Sequence, residues 1–170
     1  MPASSCELLT IGYEGTTLPV VIAALRAARV SRLLDIRAIA QSRKPGFSKT
    51  LLSATLAVAG IDYVHLRGLG TPKGGRQAAR RGDTATMRAI FAEHMRTGPA
   101  QADLAVATGI AQADRCCLLC FERDHTGCHR AIVAGLICEA TGIVPGHLVP
   151  GVPGPLAPGP TPDVDGAAVA

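Results

Sequence analysis

Tryptophan is absent, and only three Phe and two Tyr supply aromatic rings. So few rings argue against an extended groove in which successive bases of a single strand would stack. Charge is sparse too, with 17 Lys and Arg against 13 Asp and Glu. The resulting +4 suits an anionic ligand without making the chain polycationic. No apolar run approaches the roughly 20 residues of a membrane-spanning helix, so no membrane partner is expected. Met1 to Glu7 lacks the basic start and apolar stretch of a secretory signal, so a reducing, cytoplasmic setting is expected, with the six cysteines as thiols. The GxGxxG turn, the Walker phosphate loop and the HExxH helix are also missing, which leaves a dinucleotide dehydrogenase, a P-loop enzyme and a zincin without support. No cofactor is expected.

At 170 residues the chain can bury one sizeable core. Glu7 to Tyr13 (ELLTIGY) reads as a strand. Leu18 to Ala28 follows as a helix, with Thr17 as its cap and Val21, Ala24, Leu25 and Ala28 on one face. Arg32 to Ile36 is a second strand whose continuous apolar centre marks burial on both faces, with Asp35 and Arg37 where it runs out. Ser48 caps a helix to Ala59, and Ile61 to Leu66 forms a third strand. Arg67 to Asp83, rich in Gly, Lys and Arg, reads as a long exposed loop. Helices are expected over Thr84 to Met95 and Pro99 to Ala111, a fourth strand over Cys116 to Phe121, and a helix over Cys128 to Thr141 that stops at Gly142. From Val144 the composition shifts to Pro and Gly, and residues 150–170 read as a tail behind a single domain of residues 1–149. Strands alternating with helices predict an α/β fold: a mainly parallel sheet with helices on both faces, in a three-layer, sandwich-like arrangement.

Such sheets bind ligands beyond the carboxyl ends of their strands. Three polar segments should meet there: Gly12 to Glu14, then Asp35, Arg37 and Arg43, then Cys120 through Arg130. TIGYEG, LLDIRAIAQSRKPGFSK, GIDYVHLRGLG and LLCFERDHTGCHR, in that order and spacing over about Leu8 to Gly142, resemble the bacterial and archaeal family called domain of unknown function 488. The resemblance implies an α/β fold and an active site without fixing a reaction. It places the family's polar set on Asp35, Arg37, Ser42 and Arg43, with Pro45 to Phe47, and on Cys120, Glu122, Cys128, His129 and Arg130. One departure stands in the first motif, where the family commonly has His and Ser after the Gly and this chain has Tyr13 and Glu14.

Read physically, Cys128 falls where a turn enters a helix, and the helix dipole with His129 and Arg130 should lower its thiol pKa toward a nucleophilic thiolate. Glu122, just past a buried strand, suits a carboxyl of raised pKa acting as acid or base. Arg37, Arg43 and Arg130 can clamp an anion bidentately. The blander readings stand beside these. Cys116, Cys117 and Cys138 fit small core hydrophobes, and Glu122 with Arg37 fits a structural ion pair. His129 fits a cap or a packing residue. Cys117, Cys120, Cys128 and His129 imitate zinc spacing. Against this, Cys117 and Cys120 should point to opposite faces of their strand, and adjacent Cys128 and His129 should diverge, so no metal is expected. Only Cys120, Cys128 and His129 could form a ligand set. Arg123 and Arg130 lie at the wrong distance after Cys120 for a phosphatase or rhodanese loop.

The expectation is a small enzyme, a hydrolase or transferase, acting on a phosphate-bearing, nucleotide-like substrate or a nucleic-acid base. Cys120, Glu122 and Cys128 would be its catalytic residues, and Asp35, Arg37, Ser42, Arg43, His129 and Arg130 would bind substrate. The alternatives are a non-catalytic nucleotide or nucleic-acid binding module and a zinc-binding structural protein. Oligomeric state is not legible.

Overall fold

The computed structural model describes residues 7–152. Five strands, β1 (Leu8–Gly12), β2 (Arg32–Asp35), β3 (Asp62–His65), β4 (Cys116–Cys120) and β5 (Gly146–Leu148), form one all-parallel sheet in the order β3-β2-β4-β1-β5. Six helices join them: α1 (Leu18–Ala27), α2 (Lys49–Val58), α3 (Lys73–Arg80), α4 (Thr84–His94), α5 (Gly98–Ala113) and α6 (His129–Thr141). No helix among the described residues is long and apolar enough to cross a membrane.

Every residue of β1 and β4 is buried, as their near-continuous apolar sequences require of strands covered on both faces. Alternation then divides the core in two. Leu9, Ile11, Leu33, Cys117 and Leu119 pack with Leu18, Val21 and Leu25 of α1 and Leu52 and Leu56 of α2. Leu8, Leu34, Cys116 and Leu118 pack on the other face with α3 to α6, through residues such as Ala78, Met87, Phe91, Ala107 and Val133. The three layers expected of the alternating pattern are therefore present.

Helix ends follow the local signals in part. Gly142 closes α6 with φ 78°, a left-handed conformation that favours glycine, and its N–H donates to the Cys138 carbonyl. Thr17 and Ser48 stand at the predicted cap positions of α1 and α2, yet neither side chain caps its helix.

Two readings of the sequence need correction. Arg67 to Asp83 is not a long loop: it holds a single 3-10 turn at Arg67–Leu69 and then α3. This helix buries only Gly75 and Ala78, so it offers almost no apolar stripe. Its small residues let it lie close against α4, where Gly75 faces Ile90. The Pro- and Gly-rich stretch after Val144 also contributes a strand, since β5 pairs with β1 through Leu9↔Gly146 to Ile11↔Leu148. Of the predicted tail, only residues 150–152 lie within the described part of the chain.

Candidate active site

The carboxyl ends of β1, β2 and β4 open onto one cleft of about 900 Å³. Backbone bonds beyond the strands keep its walls together: Tyr13 N–H donates to the Cys120 carbonyl, Glu14 N–H to that of Phe121, and Ile36 N–H to that of Leu119. The first motif owes its glycine to this crowding. A Cβ on Gly12 would lie far inside van der Waals contact distance of the Glu122 carbonyl oxygen. That oxygen accepts from Arg130 Nη1.

One polar cluster occupies the α1/α2 side. Asp35 is fully buried, and both its oxygens accept from Arg37: Nε at 2.8 Å and Nη2 at 2.7 Å. Tyr63 donates to the same carboxylate at 2.6 Å. The remaining Arg37 terminal nitrogen donates to the Tyr13 hydroxyl at 3.0 Å and the Phe47 carbonyl at 2.8 Å. Burial alone would lower the Arg37 pKa, but Asp35 and Tyr13 outweigh it and hold the guanidinium firmly charged. Burial and the Asp35 carboxylate push the Tyr63 phenol up. Tyr13, the departure in the first motif, stacks on Phe47 with ring centroids 4.2 Å apart. The cluster thereby fixes the loop after β2, which is further tied by Lys44 Nζ donating to the Tyr13 carbonyl.

The second cluster lies at the end of β4 and the start of α6. The Cys120 and Cys128 sulfurs are 3.1 Å and 3.2 Å from Glu122 Oε2, each thiol donating to the carboxylate. His129 Nδ1 is 3.6 Å from Cys120 Sγ and 3.8 Å from Cys128 Sγ. Its Nε2 meets the Ile36 carbonyl at 3.0 Å. Arg130 is completely buried and donates to Thr10 Oγ1 and to the carbonyls of Glu122 and Arg123. It holds the turn between β4 and α6 against β1.

The electrostatics differ from the sequence expectation. Cys128 does cap α6, and its sulfur accepts from the Arg130 N–H. Its thiol pKa is nonetheless pushed up, because burial and then the neighbouring Cys120 outweigh His129. Burial also acts to raise Glu122, but its own backbone N–H and the two thiols more than offset this, so the carboxyl lies below its ordinary range. For His129, burial works downward, while Cys128, the Ile36 carbonyl and Glu122 together push the imidazole up.

Arg37 and Arg130 were expected in an anion clamp, but the structure directs their donors to protein acceptors. Arg37 pairs with Asp35 and not with Glu122. Ser42 is likewise engaged, its Oγ accepting from Lys44 N–H. Arg43 remains exposed beside it, and both line the cleft and an adjoining hollow of about 1190 Å³. The correction of α3 brings to the cleft two cations that the sequence reading had placed on an exposed basic loop. Arg76 and Arg80 both line the cleft, four residues apart and so on one helical face. The spacing of Gly75, Ala78 and Ala79 was the available signal for that helix.

The zinc argument is half overturned. Cys117 does face the opposite side of the sheet from Cys120, packed with the α1/α2 core. Cys128 and His129 do not diverge: Cys128 is still extended, at φ −114° and ψ 145°, and its sulfur turns back over the helix start. The ligand atoms of Cys120, Cys128 and His129 all lie within 4.8 Å of one another.

Fold and site together define an all-parallel α/β protein with a buried cluster of thiols, carboxylate and imidazole beyond its strand ends. The chain belongs to the family described as domain of unknown function DUF488, whose model matches residues 17–137. That span includes every residue of the two clusters except Tyr13 and Thr10. No curated protein and no solved structure matches the chain.

Proposed function

We propose that the protein is an enzyme acting on a phosphate-bearing, nucleotide-like substrate, by hydrolysis or group transfer at the end of the cleft away from the phosphate. One observation carries this reading: a single cleft joins a buried cluster of Cys120, Glu122, Cys128 and His129 to a rim bearing Arg43, Arg76 and Arg80. Arg43 and Arg80 have no side-chain partner among the described residues, and Arg76 uses one terminal nitrogen on the Thr71 carbonyl at 2.8 Å. Guanidinium groups with free donors suit phosphate oxygens. Glu122, bridging both thiols, is the natural proton carrier. A reducing, cytoplasmic setting fits these free thiols.

The test compares nucleoside phosphates with their parent nucleosides by thermal shift, then follows conversion of whichever compounds bind. Phosphate-bearing members should raise the melting temperature, and combined Arg43→Ala and Arg80→Ala should weaken them by about 1.5–3 kcal/mol per lost charged hydrogen bond. Equal shifts from nucleosides and nucleotides would refute the rim assignment. Glu122→Gln keeps shape and hydrogen bonding but cannot carry a proton, so turnover should fall by roughly a hundredfold or more with affinity retained. Binding without conversion, unaffected by Glu122→Gln, would favour the rival reading of a binding module for nucleotides or nucleic acid.

A further inference from the structure

In the cleft, side chains from two elements bring their ligating atoms within 4.8 Å of one another. Cys120 ends β4, Cys128 caps α6 and His129 begins it. A tetrahedral ion with bonds of about 2.3 Å to sulfur and about 2.0–2.1 Å to nitrogen spaces its sulfur and nitrogen ligands roughly 3.5 Å apart. The two sulfur to Nδ1 separations here are 3.6 Å and 3.8 Å. Both sulfur–nitrogen separations are therefore close to their liganded values, and all three atoms lie within 4.8 Å of one another.

The surroundings are those of a liganding imidazole. The Ile36 carbonyl can only accept, so the 3.0 Å contact puts the hydrogen of a neutral His129 ring on Nε2 and leaves the Nδ1 lone pair free. Cys120 Sγ is 3.9 Å from Nε2 as well as 3.6 Å from Nδ1, so it lies beside the ring and a turn of the imidazole would bring the lone pair onto a shared ion. Metal-bound histidines characteristically make such a bond through their second nitrogen. The Arg130 N–H, 3.5 Å from Cys128 Sγ, is placed to support a thiolate. Glu122 stands on the remaining side, and all four residues line the cleft.

We propose that Cys120, Cys128 and His129 bind a thiophilic divalent cation, zinc by preference, with the fourth position facing the cleft beside Glu122. Two thiolates and an imidazole with one open position are a donor set suited to zinc. On binding, each thiol releases its proton to solvent, two sulfur–metal bonds and one nitrogen–metal bond form, and no group changes oxidation state. This deepens the enzyme reading above and rests on it only for function: the sulfurs become ligands, and the open position activates water or a substrate oxygen with Glu122 as proton carrier.

The experiment titrates reduced, chelator-treated full-length protein with Co(II), then displaces it with Zn(II). One equivalent of cobalt should bind, with sulfur-to-metal charge transfer and the intense visible bands of a tetrahedral site. Cys120→Ser and Cys128→Ser should each remove about half of the charge-transfer intensity, one thiolate of two, while Cys138→Ser leaves it unchanged. Absence of a stoichiometric tetrahedral spectrum, or full intensity in both Cys120→Ser and Cys128→Ser, would overturn the site. If those variants do not fold, wild-type protein decides: one equivalent of zinc should slow maleimide labelling of Cys120 and Cys128 but not Cys138, and unchanged labelling refutes the proposal. None of these readouts uses a substrate. A failed titration leaves the nucleotide reading intact with free thiols, whereas bound metal without nucleotide conversion counts against that reading alone.

Discussion

Arg37 and Arg43 lie in the same loop region yet do opposite work. The Arg37 guanidinium is buried against a carboxylate with no exposed surface, so Arg37→Ala would leave Asp35 charged and unpaired in the core. Breaking such a pair costs about 3–5 kcal/mol, which urea unfolding would register directly. Arg43→Ala should change stability by no more than about 0.5 kcal/mol, as is usual for an exposed side chain, while weakening phosphate-bearing ligands. At Gly12 the expected penalty comes from crowding. Gly12→Ala drives a methyl group into the Glu122 backbone, and overpacking of this kind costs about 3 kcal/mol. Both clusters are visible in the sequence as polar groups at strand ends. Which arginines face inward is not, because donor direction depends on side chains from three different strands. The pKa directions of Cys128 and Glu122 escaped for the same reason, since depth of burial is a tertiary property.

Among the elements, α3 was hidden because helix signals in sequence depend on an apolar stripe. Its buried face is glycine and alanine, a pattern shared with exposed loops. The helix matters to the rim, as it carries Arg76 and Arg80. Gly75→Val would place a branched side chain against Thr71 and Ile90, tilting α3 away from α4. The expected result is a loss of about 1–3 kcal/mol in stability together with weaker binding of phosphate-bearing ligands, measured on the same sample. Strand β5 was hidden by brevity, three residues among Pro and Gly. It brings His147 to Thr10 Oγ1 at 2.7 Å and into a stack with His125, ring centroids 3.5 Å apart. Burial first, then His125 and Arg130, hold the His147 imidazole below its ordinary 6.5. The unfolded chain therefore takes up a proton before the folded one does, and stability should fall as pH drops below about 6.5. His147→Asn should flatten that part of the stability–pH curve.

Across the whole molecule, the alternation of strands and helices carried the fold class, and the four long strands lie within a residue or two of their predicted ends. Their order in the sheet was not legible, because β4 inserts between β1 and β2 through pairings that no local pattern records. The placement of β1 has a consequence for how the chain is made. Its two sheet neighbours are the last of the five described strands to be synthesised, beginning at Cys116 and Gly146. At about 5–20 residues per second, a ribosome needs on the order of 5–20 s to reach β4 after finishing β1. Throughout that interval the apolar segment Leu8–Gly12 has no sheet neighbour to pair with. Ribosome-bound chains halted before Cys116 should recruit hydrophobic-segment chaperones at this segment, and chains released after β5 should not.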